Sequence, residues 1–218
     1  MSLWIKICGN TSLADALLAA DAGADAVGFV FAPSPRRVTA EQVAAIVPHL
    51  PAELEKVGVF VDAAFEEIES TVVTSGLTGV QLHFNASPAL ASRLRQHFGS
   101  QFHILRVLHF EPGAAEAASD ILKHPSIDAI LVDSRTASAV GGTGRSFDWL
   151  AASMTLFQNP KGPKLVAAGG LNPENVAQAI ATLRPWGVDV VSGVEAAPGR
   201  KDPEKVRAFI ARSRKVGA

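Results

Sequence analysis

Cys8 is the only cysteine in 218 residues, so no intrachain disulfide framework can staple this chain. Charge of one sign is missing too. With 20 basic and 21 acidic side chains the formal net charge is -1, and no global field favours nucleic acid or an anionic membrane. No apolar run reaches membrane-spanning length, because Asp15, Asp21 and Asp25 interrupt the Ala/Leu-rich stretch after Leu13. The start, Met1-Ser2-Leu3-Trp4-Ile5-Lys6, lacks the charged region, apolar core and cleavage site of a secretory leader, so a cytoplasmic location is expected. There is no His-Glu-x-x-His and no second histidine at ligand spacing, which predicts no metal. Neither Gly-x-Gly-x-x-Gly nor a Walker pattern occurs, so neither a dinucleotide nor ATP is expected as a cofactor. Pro/Ser-rich linkers and low-complexity tracts are also lacking, and nothing divides residues 1–218 into two domains.

What is present is a regular alternation. Short Val/Ile-rich runs at 2–8, 26–31, 55–61, 78–83, 102–107, 128–133, 163–168 and 188–192 read as strands. Helical spacing follows each, near 11–22, 39–47, 63–75, 87–98, 113–123, 146–151, 173–183 and 202–213. Thr39 ahead of Ala40-Glu41-Gln42 is a capping-box pattern, and Asn172-Pro173 and Asp202-Pro203 each place an N-cap before a proline at the first helical position. Eight βα units predict a single α/β domain, a (β/α)8 TIM barrel; a doubly wound open sheet is the structural rival, which the count of eight disfavours.

In such a barrel the chemistry gathers where strands end. Strand parity in Leu3-Trp4-Ile5-Lys6-Ile7-Cys8 puts Leu3, Ile5 and Ile7 on one face and Trp4, Lys6 and Cys8 on the other. Cys8 is therefore a candidate general base or nucleophile at the first strand end, against the alternative that a free cysteine is a small buried hydrophobe. By the same parity Leu131 and Asp133 point inward while Ile130 and Val132 face the helices. A carboxyl and a thiol at one rim can serve as acid and base, if desolvation raises the first pKa and a positive field lowers the second; alternatively Asp133 only caps a loop. Three glycine clusters follow the late strands: Gly141-Gly142-Thr143-Gly144, Gly169-Gly170, and Ser192-Gly193. They are candidates for phosphate binding, with ordinary turn glycine as the alternative. Arg36, stiffened by Pro33-Ser34-Pro35, could grip a carboxylate in bidentate fashion or remain a solvated charge like Arg37. His83 is a candidate polar contact in the mouth. Lys6, facing inward, needs a counter-charge, and Asp189 on the adjacent last strand is the expected partner.

The ordered motifs resemble the phosphoribosylanthranilate isomerase family of tryptophan biosynthesis. They are Lys6-Ile7-Cys8-Gly9, Gly23-Ala24-Asp25-Ala26-Val27-Gly28-Phe29, Ser34-Pro35-Arg36, Val80-Gln81-Leu82-His83, Val132-Asp133-Ser134, Gly141 through Trp149, Ala168 through Val176, Asp189 through Glu195, and Pro198 through Asp202. The resemblance implies an Amadori rearrangement of a phosphosugar substrate, with Asp133 as general acid, Cys8 as general base and Arg36 near the anthranilate carboxylate. It implies the glycine loops as the phosphate grip, and neither metal nor organic cofactor. Cys8 argues against related barrel isomerases that use two aspartates, and a pure phosphate-binding protein would need neither Cys8 nor Asp133. Monomer or homodimer is the expected state. Phe84-Asn85 departs from the Gly-acidic pair usual in the family after Gln-Leu-His.

Overall fold

The computed structural model describes residues 2–83, 87–110, 119–133, 148–157 and 163–217. Its strands are β1 (Trp4–Ile7), β2 (Ala26–Val30), β3 (Glu55–Val61), β4 (Gly79–His83), β5 (His103–His109), β6 (Ala129–Asp133), β7 (Lys164–Ala167) and β8 (Gly187–Val190). They close into one parallel barrel, with β1 hydrogen-bonded to both β2 and β8. Between them run α1 (Leu13–Asp21), α2 (Ala40–Ile46), α3 (Phe65–Ser75), α4 (Pro88–Phe98), α5 (Ser119–Leu122), α6 (Trp149–Thr155) and α7 (Val176–Leu183). A small hairpin of β9 (Glu195–Ala197) and β10 (Arg200–Lys201) precedes the last helix, α8 (Pro203–Val216). The predicted (β/α)8 barrel is the observed fold. Among the described residues no helix is long and apolar enough to cross a membrane.

Two apolar layers follow from strand parity. Ile5, Ile7, Val27, Phe29, Ile104 and Val188 face the helices, while Trp4, Ala26, Val57, Leu105, Val107, Leu131 and Val166 fill the barrel. Small residues such as Ala26 and Ala129 leave room inside for Trp4, which stacks on Trp186 with ring centroids 5.2 Å apart. The N-terminal end of the barrel is thus plugged by aromatic rings, and the polar groups collect towards the other end.

One layer above Trp4, apolar packing gives way to charge. Lys6 is wholly buried, and its Nζ donates to Asp189 Oδ1 and to Gln81 Oε1, each at 2.8 Å. Lys6 and Asp189 are register partners across the β1–β8 seam, as expected from the sequence. Burial pushes the ammonium pKa down, but Asp189 and the Cys8 sulfur in its thiolate form outweigh it and the net shift is upward.

Cap chemistry explains where the helices begin. Thr39 and Gln42 form the full capping box, and Asp202 accepts from the N–H groups of Glu204 and Lys205 ahead of α8. Asn172 acts differently from the expectation. Its Oδ1 accepts from Glu174 and Asn175, closing a turn over 173–175, and α7 starts only at Val176. The helix read at 146–151 is displaced to Trp149–Thr155, because Asp148 is its N-cap and accepts from Ala151 N–H. Of the helix read at 113–123, only Ser119–Leu122 lies within both the described residues and a helix. Strand β5 runs to His109, two residues beyond the expected end.

Replacing Lys6 with Met should lower stability by roughly 3–5 kcal/mol, because Asp189 is left buried without its cation. Urea denaturation checks this: an unchanged midpoint contradicts the pairing, and removing the charge of Asp189 as well should recover part of the loss.

Candidate active site

A cavity of about 180 Å3 opens at the C-terminal ends of the strands. Cys8, Arg36, Gln81, His83, His109, Asp133 and Asp189 line it, among Val30, Val59, Val61, Leu131 and Val191. The structure therefore brings Cys8 and Asp133 together with Arg36 and His83. Strand ends position Cys8, His83 and Asp133, and the loop after β2 carries Arg36. Cys8 N–H extends the ladder beyond β1 by donating to Val190 O at 2.9 Å, and Asp133 is the last residue of β6.

The thiol fits because of two glycines. A Cβ on Gly28 of β2 would lie 2.5 Å from Cys8 Sγ, so glycine there creates the space that the sulfur fills. Gly9, with φ +74°, turns the chain directly after the thiol under the Arg36 stem, whose Cδ would lie 2.9 Å from an added Cβ. Asn10 then ties the loop back, donating from Nδ2 to Ile7 O at 2.8 Å and Gly28 O at 3.2 Å.

Burial raises the Cys8 pKa, and Asp189 adds to that effect. The ammonium groups of Lys6 and Lys201 oppose it, Lys6 the more strongly, through Coulomb attraction and hydrogen bonding. Lys201 approaches from behind. Its buried Nζ donates to Cys8 O at 2.5 Å and Val191 O at 3.3 Å, and lies 3.5 Å from Glu195 Oε1. Desolvation lowers the pKa of Lys201, against the pull of Glu195.

Arg36 lines the cavity and is also engaged within the protein. Its Nε and Nη2 form a bidentate pair with Glu195, at 2.8 and 2.7 Å, so that edge of the guanidinium is already taken by protein. The other edge, formed by Nη1 and the second Nη2 hydrogen, remains for another carboxylate. Glu195 also accepts from Gly199 N–H at 3.2 Å. Burial raises the Glu195 pKa, but Arg36 and Lys201 together hold it below its ordinary value. Glu195 thus aims Arg36 at the mouth, a role its place in the motif gave no means of assigning.

The described glycines of the late loops lie at the ends of β7 and β8. Gly169 and Gly170 both adopt positive φ, +78° and +66°, at the end of β7, and Ser192 is exposed at the end of β8. Gly193 has another reason to be glycine: a Cβ there would lie 1.9 Å from Leu171 O, so the loops after β7 and β8 touch backbone to backbone. None of these four residues lines the cavity itself. Gly141, Gly142, Thr143 and the Phe84-Asn85 departure lie outside the described residues. Among the described residues no cluster of three or more His, Cys, Asp or Glu side chains could hold a metal.

His109 and Gln81 are the cavity residues that the sequence reading missed. Both follow from parity: Leu105 and Val107 face inward, so His109 does too once β5 is extended, beside its register partner Asp133.

A closed eight-stranded parallel barrel that gathers a thiol, a carboxyl and a guanidinium at its C-terminal mouth defines the class as a (β/α)8-barrel enzyme. Residues 5–212 match the family model for N-(5'-phosphoribosyl)anthranilate isomerase. The isomerase of that name from Citrifermentans bemidjiense is 44% identical over 213 residues, covering 97% of each chain, and that from Geobacter sulfurreducens is 42% identical over 212 residues, covering 96% of this chain and 98% of its own. The crystal structure of the Thermotoga maritima enzyme superimposes with a TM-score of 0.84 at 37% identity, covering 98% of this chain and 99% of that one. A phosphoribosylanthranilate isomerase crystallised with reduced 1-(o-carboxyphenylamino)-1-deoxyribulose 5-phosphate gives 0.83 at 35% identity, with the same coverage. The chain belongs to the phosphoribosylanthranilate isomerase family, and its activity is that isomerisation in tryptophan biosynthesis.

Because the Glu195 pKa is depressed in the fold, its pairing contributes stability that is present above the unfolded carboxylate value of 4.5 and is lost as pH falls through the folded value. Glu195→Gln should therefore cost about 1–3 kcal/mol at neutral pH, and the gap from wild type should close in acid. Urea midpoints at pH 7 and pH 3.5 test this; a gap that stays constant contradicts it.

Proposed function

We propose that the isomerisation runs by general acid–base catalysis between Asp133 and Cys8, on N-(5'-phosphoribosyl)anthranilate. The observation that carries the proposal is that both groups line one and the same cavity, at the end of the barrel where this fold does its chemistry. Asp133 protonates the furanose ring oxygen as the C1′–O bond breaks, and the anthranilate nitrogen supplies the electron pair that makes the iminium. Cys8, as thiolate, removes the proton from C2′, and the iminium nitrogen accepts the electrons to give the enolamine. Protonation at C1′ and loss of the C2′ hydroxyl proton yield 1-(2-carboxyphenylamino)-1-deoxyribulose 5-phosphate. The thiol forms no covalent bond to the substrate and requires no organic cofactor or metal.

The net shift of the Cys8 pKa is upward, so the positive field expected to lower it only limits the rise, and the base assignment rests on the position of the thiol in the cavity. Lys6 and Lys201 favour the thiolate, in a pocket where burial and Asp189 otherwise oppose it. Arg36, held by Glu195, offers its other edge to the anthranilate carboxylate, with His83 as a further polar contact. Gly169, Gly170, Ser192 and Gly193, with Gly141, Gly142 and Thr143, hold the phosphate. The positive φ of Gly169 and Gly170 supports this grip, since such backbone can turn N–H groups towards an anion. The chain acts as one barrel domain in the cytoplasm, as a monomer or as a homodimer like the Thermotoga maritima relative, which is described as dimeric. Its ligand is a small phosphosugar, and nucleic acid has no part.

Cys8→Ala and Asp133→Asn should each lower kcat by at least about 100-fold with the fold retained, the usual scale for losing an acid or base. The fluorescence decay of the substrate reads turnover directly. Near-wild-type decay in either variant would reject that residue's role.

A further inference from the structure

Gln81 stands between two groups that its carboxamide can satisfy in only one way. Lys6 Nζ is a donor with no acceptor capacity, so its 2.8 Å contact must go to the amide oxygen. The amide nitrogen is then turned the other way, and it lies 2.9 Å from His83 Nε2. An amide N–H donates, so that ring nitrogen must accept. Flipping the carboxamide would set its N–H groups against the ammonium, and Lys6, wholly buried and anchored on Asp189, has no alternative position to take.

We propose that Lys6 and Gln81 are positioning residues that hold His83 as the singly protonated Nδ1–H tautomer, so that the ring meets the substrate with that orientation already set. The tautomer is written into the barrel interior two residues away along β4, since Gln81 and His83 share its inward face. The chain of donors starts at a charge that cannot reverse and ends at a ring lining the cavity. Lys6 therefore has a consequence at the mouth without touching it. The step from tautomer to substrate rests on the role proposed above for His83.

Two readouts separate these levels. In full-length protein with 15N-labelled histidine, long-range 1H–15N correlation should show His83 with a protonated Nδ1 and an unprotonated Nε2, assigned by loss of its signals in His83→Asn. A protonated Nε2 in the wild type overturns the proposal, whatever the variants do. Gln81→Glu keeps the shape but accepts from both sides, so it should draw the ring proton to Nε2 and raise KM by about tenfold, with kcat less affected. If the tautomer moves while KM stays the same, the substrate role of His83 fails and the positioning line stands. If the tautomer does not move, the line itself is overturned. Should Gln81→Glu not fold, the wild-type spectrum alone still decides the tautomer.

Discussion

An ammonium group inside a barrel must be neutralised or given up, and Lys6 is neutralised. Its contact with Asp189 lies where β1 meets β8, the seam that turns eight strands into a closed barrel, and its contact with Gln81 crosses the interior to β4. Below it the interior is apolar, with Trp4 and Trp186 at its floor; above it the lining turns polar. Asp189 and Gln81 are at once the partners Lys6 requires and part of the cavity wall, so closing the fold and building the site are one problem. The same positive charge bears on Cys8, two residues further along the strand, and partly offsets the cost of placing a thiolate in a buried position.

A second group of charges does for the loops what Lys6 does for the barrel. Glu195 takes one edge of Arg36 and lies near Lys201, while Lys201 bonds the backbone carbonyls of Cys8 and Val191. The hairpin carrying Glu195 and Lys201 thereby locks the loops after β1, β2 and β8 to one another. Glycines supply the clearances this needs: Gly28 for sulfur, Gly9 for the Arg36 stem, Gly193 for the loop after β7. These contacts leave Cys8 little freedom, which suits a base that must reach one proton.

Much of this was legible because strand parity is a hard rule. The inward placement of Cys8, Asp133, Lys6 and Asp189, the pairing of the last two, and the outward placement of Ile130 and Val132 all came from alternation plus barrel closure. Strand length was less legible. No turn residue marks the end of β5, and polar His109 gives no hydrophobic cue to extend it, so the expected strand stops two residues short and leaves His109 out of the site. Asn172-Pro173 has the composition of a helix start, yet Asn172 serves a turn, because side-chain caps act on local N–H groups whether or not a helix follows at once. The Arg36–Glu195 pair joins residues 159 apart, and no local pattern reveals which carboxylate a guanidinium will choose.

Since Cys8 is the only cysteine, its ionisation can be followed in the intact enzyme without interference from another thiol. The direct test is to titrate thiolate absorbance of the free enzyme and to measure kcat/KM across the same pH range, because kcat/KM reports the ionisations of the free enzyme. The account predicts that the rising limb of activity coincides with the appearance of the thiolate. Full activity at a pH where the Cys8 thiol is still protonated would contradict it.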